Sequence, residues 1–183
     1  MRVRKAHTGD SDAIVEILRT LGWFSHLSSE HPEQTKERVD HHLRLCHAAE
    51  NHSVYVAEEP AGGVVGYVGV HWQPTLFLAG PEGYLSELFV RASARGRGAG
   101  TQLLEAVQKE AAERGCSRLL VLNRRNRASY QRGFYEKCGW VERPDAANFV
   151  YTLSCGRDNP VLYPHAWWTP VAAGDRHRQA DIR

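Results

Sequence analysis

The chain has 183 residues, of which 42% are hydrophobic and 24% charged, with a formal net charge of +2. This size predicts one globular domain whose core is large enough to be stable without disulfide bonds. The small net charge argues against nucleic acid or an anionic membrane as a partner. No apolar stretch approaches the ~20 residues that cross a bilayer.

The four cysteines, Cys46, Cys116, Cys138 and Cys155, show no C-x-x-C spacing. The first five residues lack the apolar run of a secretion signal. Reduced thiols and a cytoplasmic location are therefore expected.

The first third of the chain predicts one strand and two helices. The strand covers Arg2 to Ala6, and apolar residues at helical spacing from Ile14 to Leu21 predict a helix that Gly22 ends. A second helix is predicted from Glu33 to Ala49.

Three strands follow, over residues 54–57, 64–72 and 83–91, and a helix is predicted from Gly98 to Arg114. The apolar run Leu119–Leu122 is typical of a strand buried on both faces.

A helix is then predicted from Asn126 to Cys138, and two last strands over Trp140–Glu142 and Asn148–Leu153. The order β-α-α-β-β-β-α-β-α-β-β predicts an α/β sandwich around a mixed sheet.

Composition divides the chain into a domain, residues 1–154, and an extension, residues 155–183. The extension contains three prolines and the pair Trp167-Trp168, which would be costly to leave exposed. These aromatic residues favour docking on the domain or a homodimer, and the polar last ~10 residues have the composition of a disordered end.

A glycine-rich turn, Arg95-Gly96-Arg97-Gly98-Ala99-Gly100, joins a predicted strand to a predicted helix. Alternating glycines permit a tight backbone, and the N–H groups and dipole at a helix start favour an anion such as a pyrophosphate. A P-loop would need Lys and then Ser or Thr where Thr101-Gln102 stand, and G-x-G-x-G is not the dinucleotide fingerprint G-x-G-x-x-G.

Two segments carry a specific resemblance. The run Leu88-Phe89-Val90 with Arg95-x-x-Gly98-x-Gly100 resembles motif A of the GNAT superfamily of N-acetyltransferases. About 35 residues on, Phe134-Tyr135-Glu136-Lys137-Cys138-Gly139-Trp140 is similar to that superfamily's F-Y-x-x-x-G-[FW] segment. The resemblance covers about residues 1–154.

This resemblance implies a splayed sheet with acetyl-CoA as cosubstrate between the fourth and fifth strands. The backbone of Leu88, Phe89 and Val90 would bind the pantetheine and the acyl carbonyl. Backbone N–H groups from Gly96 to Thr101, with Arg95 and Arg97 at the rim, would hold the pyrophosphate. The implied residues of the turn are Arg95, Gly96, Arg97, Gly98, Ala99, Gly100 and Thr101. Asn126 is similar to the family's polar residue that contacts pantetheine, and Asn123 is the alternative for this role.

Acetyl transfer needs a proton removed from an ammonium and a proton given to the leaving thiolate. By resemblance Tyr135 is the general acid, although a core tyrosine would look the same in sequence. Glu87, three residues before Val90, is the candidate base. Two alternatives are that Glu87 is a paired structural carboxylate, or that the ammonium loses its proton to bulk water without a dedicated base. No cysteine or serine has an obvious nucleophile context, which favours direct attack in a ternary complex.

The remaining polar clusters are less specific. Histidines gather in the first third, but their spacing matches no helical ligand pair, so no metal is expected. The basic run Arg124, Arg125 and Arg127 has two interpretations: a solvent-exposed face, or a site that binds the cofactor's 3′-phosphate.

The acceptor pocket is the part of the site that the sequence defines least. Its candidate lining residues are aromatic: Trp23, Phe24, Trp72 and Tyr84. The predicted reaction is acetylation of a primary amine, with a small molecule as the partner. Acetylation of a protein N-terminus or lysine, and a non-catalytic acyl-CoA sensor, are the alternatives.

Overall fold

The computed structural model describes residues 1–23, 27, 29–60 and 62–151. Five strands form one sheet in the order β1-β2-β3-β4-β5. They are β1 (Arg2–Lys5), β2 (His52–Glu58), β3 (Val64–Gln73), β4 (Glu82–Val90) and β5 (Arg118–Val121). Neighbouring strands are antiparallel except β4 and β5, which are parallel. The sheet is therefore mixed, as the sequence predicts.

Helices cover both faces of this sheet. The helices with described bounds are α1 (Ser11–Thr20), α2 (Pro32–Ala48), α3 (Ala99–Glu113), α4 (Ala128–Gln131) and α5 (Phe134–Lys137). Short 3-10 turns precede α1 and α3, at Thr8–Asp10 and Ala92–Ala94. Helix α3 is the crossover that two parallel strands require, since a tight hairpin cannot connect them. None of the helices in the described ranges is long and apolar enough to span a membrane.

Alternation along the strands supplies two separate hydrophobic cores. On one face α3 buries residues such as Leu103 and Val107 against Val68 and Leu85. On the opposite face α1 and α2 pack on neighbouring strand positions, which include Val56 and Tyr67. We refer below to the α3 face and to the α1/α2 face.

A buried carboxylate fixes α3 to the sheet. Glu110 accepts hydrogen bonds from Ser53 Oγ at 3.0 Å, Tyr55 Oη at 2.9 Å and Arg114 Nη2 at 2.9 Å. Lys5 Nζ lies 3.1 Å from the same side chain. Burial alone would raise the pKa of Glu110, but these donors outweigh it and hold the pKa below its usual value.

The end of the described chain differs from the sequence-based prediction. The single helix predicted over Asn126–Cys138 is two one-turn helices, because Gly133 between them has φ 61° and breaks the helical backbone. The predicted strand Trp140–Glu142 is absent. Residues 148–151 of the predicted strand Asn148–Leu153 also have no regular structure, and 152–153 lie outside the described residues.

The predicted burial of β5 on both faces is also wrong. Its residues are half-buried, and Leu122, just after it, is 54% exposed. Among the described residues no strand pairs with the outer edge of β5. A strand is stabilised by its neighbours, so β-branched and aromatic residues at 148–151 do not form one without a pairing partner. The extension 155–183 and its Trp167-Trp168 pair lie outside the described residues.

The α3 core provides a stability test. Leu103 is fully buried, so Leu103→Ala should lower the free energy of unfolding by about 3 kcal/mol, through lost burial and a residual cavity. The same substitution at exposed Leu122 is the control, and it should cost less than about 1 kcal/mol. Urea denaturation of both variants measures the difference, and equal costs would contradict the assigned core.

Candidate active site

The glycine-rich turn adopts a conformation that presents backbone N–H groups. Gly96 and Gly98 have φ of 75° and 85°, a region that side chains other than glycine rarely occupy. Gly98 is the N-cap of α3, and Gln102 N donates to Gly98 O at 3.0 Å as the first helical hydrogen bond. The N–H groups of the first three helical residues, from Ala99 to Thr101, therefore precede the helical ladder. Together with the helix dipole they form a site suited to an anion.

The two arginines of the turn have different contacts. Arg95 Nε donates to the carbonyl oxygen of Val90 at 3.1 Å, which fixes the turn to the end of β4. Arg97 Nη1 lies 2.6 Å from Glu59 Oε1, and its side chain is 55% exposed. The positive charge of Arg97 at the edge of the turn is therefore partly neutralised by Glu59. Arg95 contributes positive charge and also holds the turn against the end of β4.

The two motifs of the sequence meet in the fold. A Cβ atom on Gly100 would lie 3.1 Å from Cζ of Phe134, closer than most real contacts. Only glycine lets the first turn of α3 approach the ring so closely. This contact places α5, and with it Tyr135, beside the glycine-rich turn.

β4 and β5 separate beyond a short paired region. Their parallel pairing covers four positions, from Glu82 opposite Arg118 to Leu85 opposite Val121. β4 then continues for the five residues 86–90, whose edge on this side has no partner in the described part of the chain. A bulge against β3 at Ser86, where the register steps between Gly69 and Val70, accompanies the separation. The backbone of Leu88, Phe89 and Val90 borders the resulting gap.

Tyr135 lies on the α3 face of this gap. It packs against the same α3-face core as Leu88 and Val90, and its ring makes edge contacts with Phe134 and Trp140 at centroid distances of 5.0 and 5.7 Å. Burial, with a smaller effect of Cys138, raises the pKa of Tyr135 to about 12. Its hydroxyl makes no hydrogen bond within the described ranges. The phenol is therefore protonated at neutral pH and able to donate.

Glu87 lies on the other side of β4, where its carboxylate is exposed and held by a buried tyrosine. Tyr67 Oη donates to Glu87 Oε2 at 2.6 Å, and Tyr67 is only 2% exposed. Burial and then the charge and hydrogen bond of Glu87 raise the pKa of Tyr67 well above its usual value. Sequence reasoning missed Tyr67. Only the register, which sets Tyr67 opposite Phe89 and beside Glu87, could identify it.

A thiol–imidazole pair lies near Glu87 on the same face. Cys46 Sγ is 2.9 Å from His52 Nδ1, and the His52 ring stacks on His71 at 4.0 Å. Burial, with His71 and His42 nearby, lowers the pKa of His52 to about 4, and burial raises the pKa of Cys46. Both groups are neutral at pH 7, unlike the ion pair of a nucleophilic cysteine. In the described ranges no group of His, Cys, Asp or Glu side chains has the arrangement of a metal site.

The predicted acceptor-pocket residues lie in different places. Trp23 packs edge-on against Phe89 at 5.6 Å on the α1/α2 face. Trp72 is wrong as a lining residue, because it is 5% exposed in the α3-face core and its Nε1 donates to Ser53 Oγ. Tyr84 is half-buried opposite His71. Phe24 lies outside the described residues.

The segment after β5 has individual contacts along its length. Asn123 Oδ1 accepts a hydrogen bond from Ser129 Oγ at 3.0 Å, whereas Asn126 is exposed. Arg125 Nη2 lies 2.7 Å from Glu142 Oε1. Arg127 stacks on the Trp23 ring at 3.6 Å. The predicted basic run is thus not one uniform solvated face.

A diverging parallel strand pair beside a helix start with free backbone N–H groups is the arrangement that the sequence resemblance implies for an acyltransferase using a coenzyme A thioester. Residues 18–140 match the Acetyltransferase (GNAT) family, and the chain belongs to that family. It is accordingly an acyl-CoA-dependent N-acetyltransferase, of a family that uses acetyl-CoA.

Two relatives with named activities resemble the chain in sequence. Glucosamine 6-phosphate N-acetyltransferase 1 of Oryza sativa subsp. japonica is 30% identical over 125 residues, covering 67% of this chain and 73% of that protein. Thialysine N-epsilon-acetyltransferase of Mus musculus is 32% identical over 133 residues, covering 67% and 75%. Among solved structures, a transcriptional regulator from Bacillus halodurans C-125 has a TM-score of 0.69 at 22% identity. It covers 82% of this chain and 99% of that one, which shows a shared fold.

The anion site can be tested at Gly98. Gly98→Ala forces a side chain into the left-handed region, so the turn should relax and the Kd for coenzyme A should rise about tenfold. Gly115→Ala, at the other end of α3 and with φ 65°, imposes a similar strain in open space and is the matched control. Calorimetric titration with coenzyme A should show weakening only in Gly98→Ala. Equal weakening in both variants would argue against a cosubstrate site at the turn.

Proposed function

We propose that this enzyme transfers the acetyl group of acetyl-CoA to a primary amine of a small molecule, by direct attack in a ternary complex. The observation that carries the proposal is the position of Tyr135 and Glu87 on opposite faces of β4, at the gap between β4 and β5. A thioester in that gap would meet the acid from one face and the amine with its base from the other.

The cosubstrate would enter along the α3 face. Backbone N–H groups from Gly96 to Thr101 would hold the pyrophosphate, and Arg95 and Arg97 would add positive charge. The pantetheine arm would lie along the open edge of Leu88, Phe89 and Val90 as an added strand. Exposed Asn126 is better placed for a pantetheine contact than Asn123, whose amide oxygen already accepts from Ser129.

The amine would approach from the α1/α2 face, where Glu87 accepts its proton directly or through a water. The free amine then attacks the thioester carbonyl, and N–H groups of β4 would stabilise the oxyanion. When the tetrahedral intermediate collapses, the C–S bond breaks and Tyr135 protonates the leaving sulfur. The attacking nitrogen loses its second proton to water, and Tyr135 regains a proton from water. The products are the N-acetylated amine and coenzyme A.

Two further observations support a small-molecule amine as the acceptor and direct attack as the mechanism. Both named relatives act, by their names, on small amines, glucosamine 6-phosphate and thialysine. The neutral Cys46–His52 pair argues against a covalent acyl-cysteine, because an imidazole with a pKa of about 4 is a poor base for a thiol whose pKa is raised. Direct attack therefore fits the described side chains better than a two-step route.

The acid role is tested by Tyr135→Phe. Removal of the phenolic proton should lower kcat for thiol release by about 100-fold, the usual size of a general-acid effect, with unchanged affinity for coenzyme A. Tyr130→Phe is the matched control, since Tyr130 Oη bonds Glu142 on the exposed side of α4. Thiol release over a broad amine panel provides the measurement. An unchanged rate of thiol release in Tyr135→Phe would show that Tyr135 is not the general acid.

The tyrosine beneath Glu87 is tested by Tyr67→Phe. The hydrogen bond from Tyr67 holds the Glu87 carboxylate in place, so its loss should lower kcat/KM for the amine by about tenfold, the rate equivalent of one hydrogen bond to a charged group. Tyr55→Phe, which removes the matching bond to Glu110 on the α3 face, should leave kcat/KM unchanged. An unchanged kcat/KM in Tyr67→Phe, with a normal fold by circular dichroism, would show that Tyr67 does not position Glu87 for catalysis.

A further inference from the structure

A β-bulge brings two polar side chains of β4 together where β4 and β5 separate. Leu85 packs into the α3-face core and is the last residue of β4 that pairs with β5. Strict alternation would then point Ser86 to the α1/α2 face and Glu87 back to the α3 face. Because Gly69 is opposite Glu87 and Val70 is opposite Leu85, Ser86 is the extra residue of the bulge. Glu87 therefore joins Ser86 on the α1/α2 face.

Gly69 of β3 forms the floor beneath these two side chains. A Cβ atom on Gly69 would lie 3.4 Å from Ser86 Oγ, 3.7 Å from His52 Nε2 and 3.8 Å from Glu87 Cβ. These are ordinary van der Waals distances, so the three side chains surround a space the size of a methyl group. We call this space the Gly69 hollow.

Two contacts fix the direction of the His52 ring at the Gly69 hollow. Its Nδ1 lies 2.9 Å from Cys46 Sγ, and its plane stacks on His71 at 4.0 Å and 13°. The other ring nitrogen, Nε2, faces the hollow and makes no hydrogen bond within the described ranges. Burial, with His71 and His42 nearby, lowers the pKa of His52 to about 4, so the ring is neutral at pH 7. A neutral imidazole can lie beside a bound cation without repelling it.

The hydroxyl of Ser86 is oriented as an acceptor. Its side chain is exposed, and its hydroxyl donates a long hydrogen bond to the carbonyl oxygen of Gly69 at 3.4 Å. This contact directs the hydroxyl proton at the strand and leaves the oxygen lone pairs for a ligand. A carboxylate, a hydroxyl oxygen and a neutral imidazole around one small space suit an ammonium group, which carries several N–H donors.

The Gly69 hollow lies at the end of the open edge that a thioester would reach. The glycine-rich turn follows the last residue of β4. A cosubstrate held at the turn would therefore run back along residues 86–90 toward the last β4–β5 pair, a length of roughly 17 Å. Its acyl group would arrive beside Ser86, and an amine over the hollow would meet it there.

We propose that the reacting amine of the acceptor binds over the Gly69 hollow, where Ser86 Oγ and His52 Nε2 accept N–H bonds and position its nitrogen beside Glu87. This inference rests on the proposed function, because it concerns the amine from which Glu87 takes a proton. Ser86 and His52 bind the substrate and exchange no proton with it. In this arrangement His52 Nδ1 carries the ring proton and donates it to Cys46 Sγ.

Substitutions of the floor and of one wall test the proposal. Gly69→Ala fills the hollow with a methyl group that makes only ordinary contacts, so the fold should be retained. Ser86→Ala removes an acceptor, and Ser86→Thr keeps it. Ser117→Ala is the matched control, because the Ser117 hydroxyl bonds Gly80 at the opposite end of the β4–β5 pairing. Acetylation of butylamine, 1,5-diaminopentane, lysine and glucosamine is measured, with calorimetric titration of coenzyme A.

Gly69→Ala and Ser86→Ala should each lower kcat/KM for every accepted amine by about tenfold, the equivalent of one hydrogen bond to a charged group. Ser86→Thr should stay within about twofold of the wild type, because the hydroxyl is kept. Ser117→Ala should match the wild type, and the Kd for coenzyme A should be the same throughout. An unchanged kcat/KM in Gly69→Ala or Ser86→Ala, equal losses in the two Ser86 variants, or a weakened affinity for coenzyme A would overturn the proposal.

Failure of the proposed function is distinguishable from failure of this inference. If the wild type acetylates none of the four amines, the assignment to small amines fails, and binding decides the role of the hollow. Nitrogen-15 spectra of the histidines are then recorded in the presence of coenzyme A as 1,5-diaminopentane is added, with the His52 signals assigned through His52→Gln. A shift of His52 Nε2 that Gly69→Ala abolishes would support the site. No shift in the wild type, or a ring proton on Nε2, would refute it.

Discussion

The parallel pairing between β4 and β5 ends after four positions, and the arrangement of the site depends on that limit. Two strands that stayed paired would satisfy each other's backbone groups and close the sheet. β4 continues for five more residues beside β3, and the edge of those residues toward β5 has no partner in the described part of the chain, so its N–H and C=O groups border an open gap. Such an edge offers an extended ligand the same hydrogen bonds that another strand would make. The gap also connects the two faces of the sheet, each with its own hydrophobic core.

The glycine-rich turn is held in place by both of its neighbours. Arg95 fixes the turn to the last residue of β4, and Gly100 lets α3 approach Phe134. The turn, the end of the open strand and Tyr135 therefore form one packed unit. Their relative positions follow from tight packing and do not depend on a flexible loop.

The α1/α2 face has a different chemical character. On this face the exposed carboxylate of Glu87 accepts a hydrogen bond from the buried side chain of Tyr67. The nearby Cys46 and His52 are kept neutral by burial, and the exposed carboxylate of Glu87 lies close to this pair. On the same face Arg127 stacks on the ring of Trp23.

Much of the fold was predictable because its signals are local. Helical spacing from Ile14 and the stop at Gly22 predicted α1, and the alternation in β2, β3 and β4 predicted those strands. The glycines at 96, 98 and 100 predicted a tight turn at a helix start, and Gly96 and Gly98 have the positive φ of such a turn. The anion site at this turn stays a prediction. The predictions of the two last strands were wrong because a strand needs a pairing partner. The prediction of one long final helix was wrong because Gly133 interrupts it.

The sequence by itself thus determined the order of the elements from β1 to β5, the family and the position of the glycine-rich turn. The tertiary structure alone decided which side chains meet. Tyr67 reaches Glu87 through the β3–β4 register, Trp72 turns into the α3-face core, and Trp23 meets Arg127 although about a hundred residues separate them. Register and packing bring distant residues together, and no local pattern in the chain records that outcome.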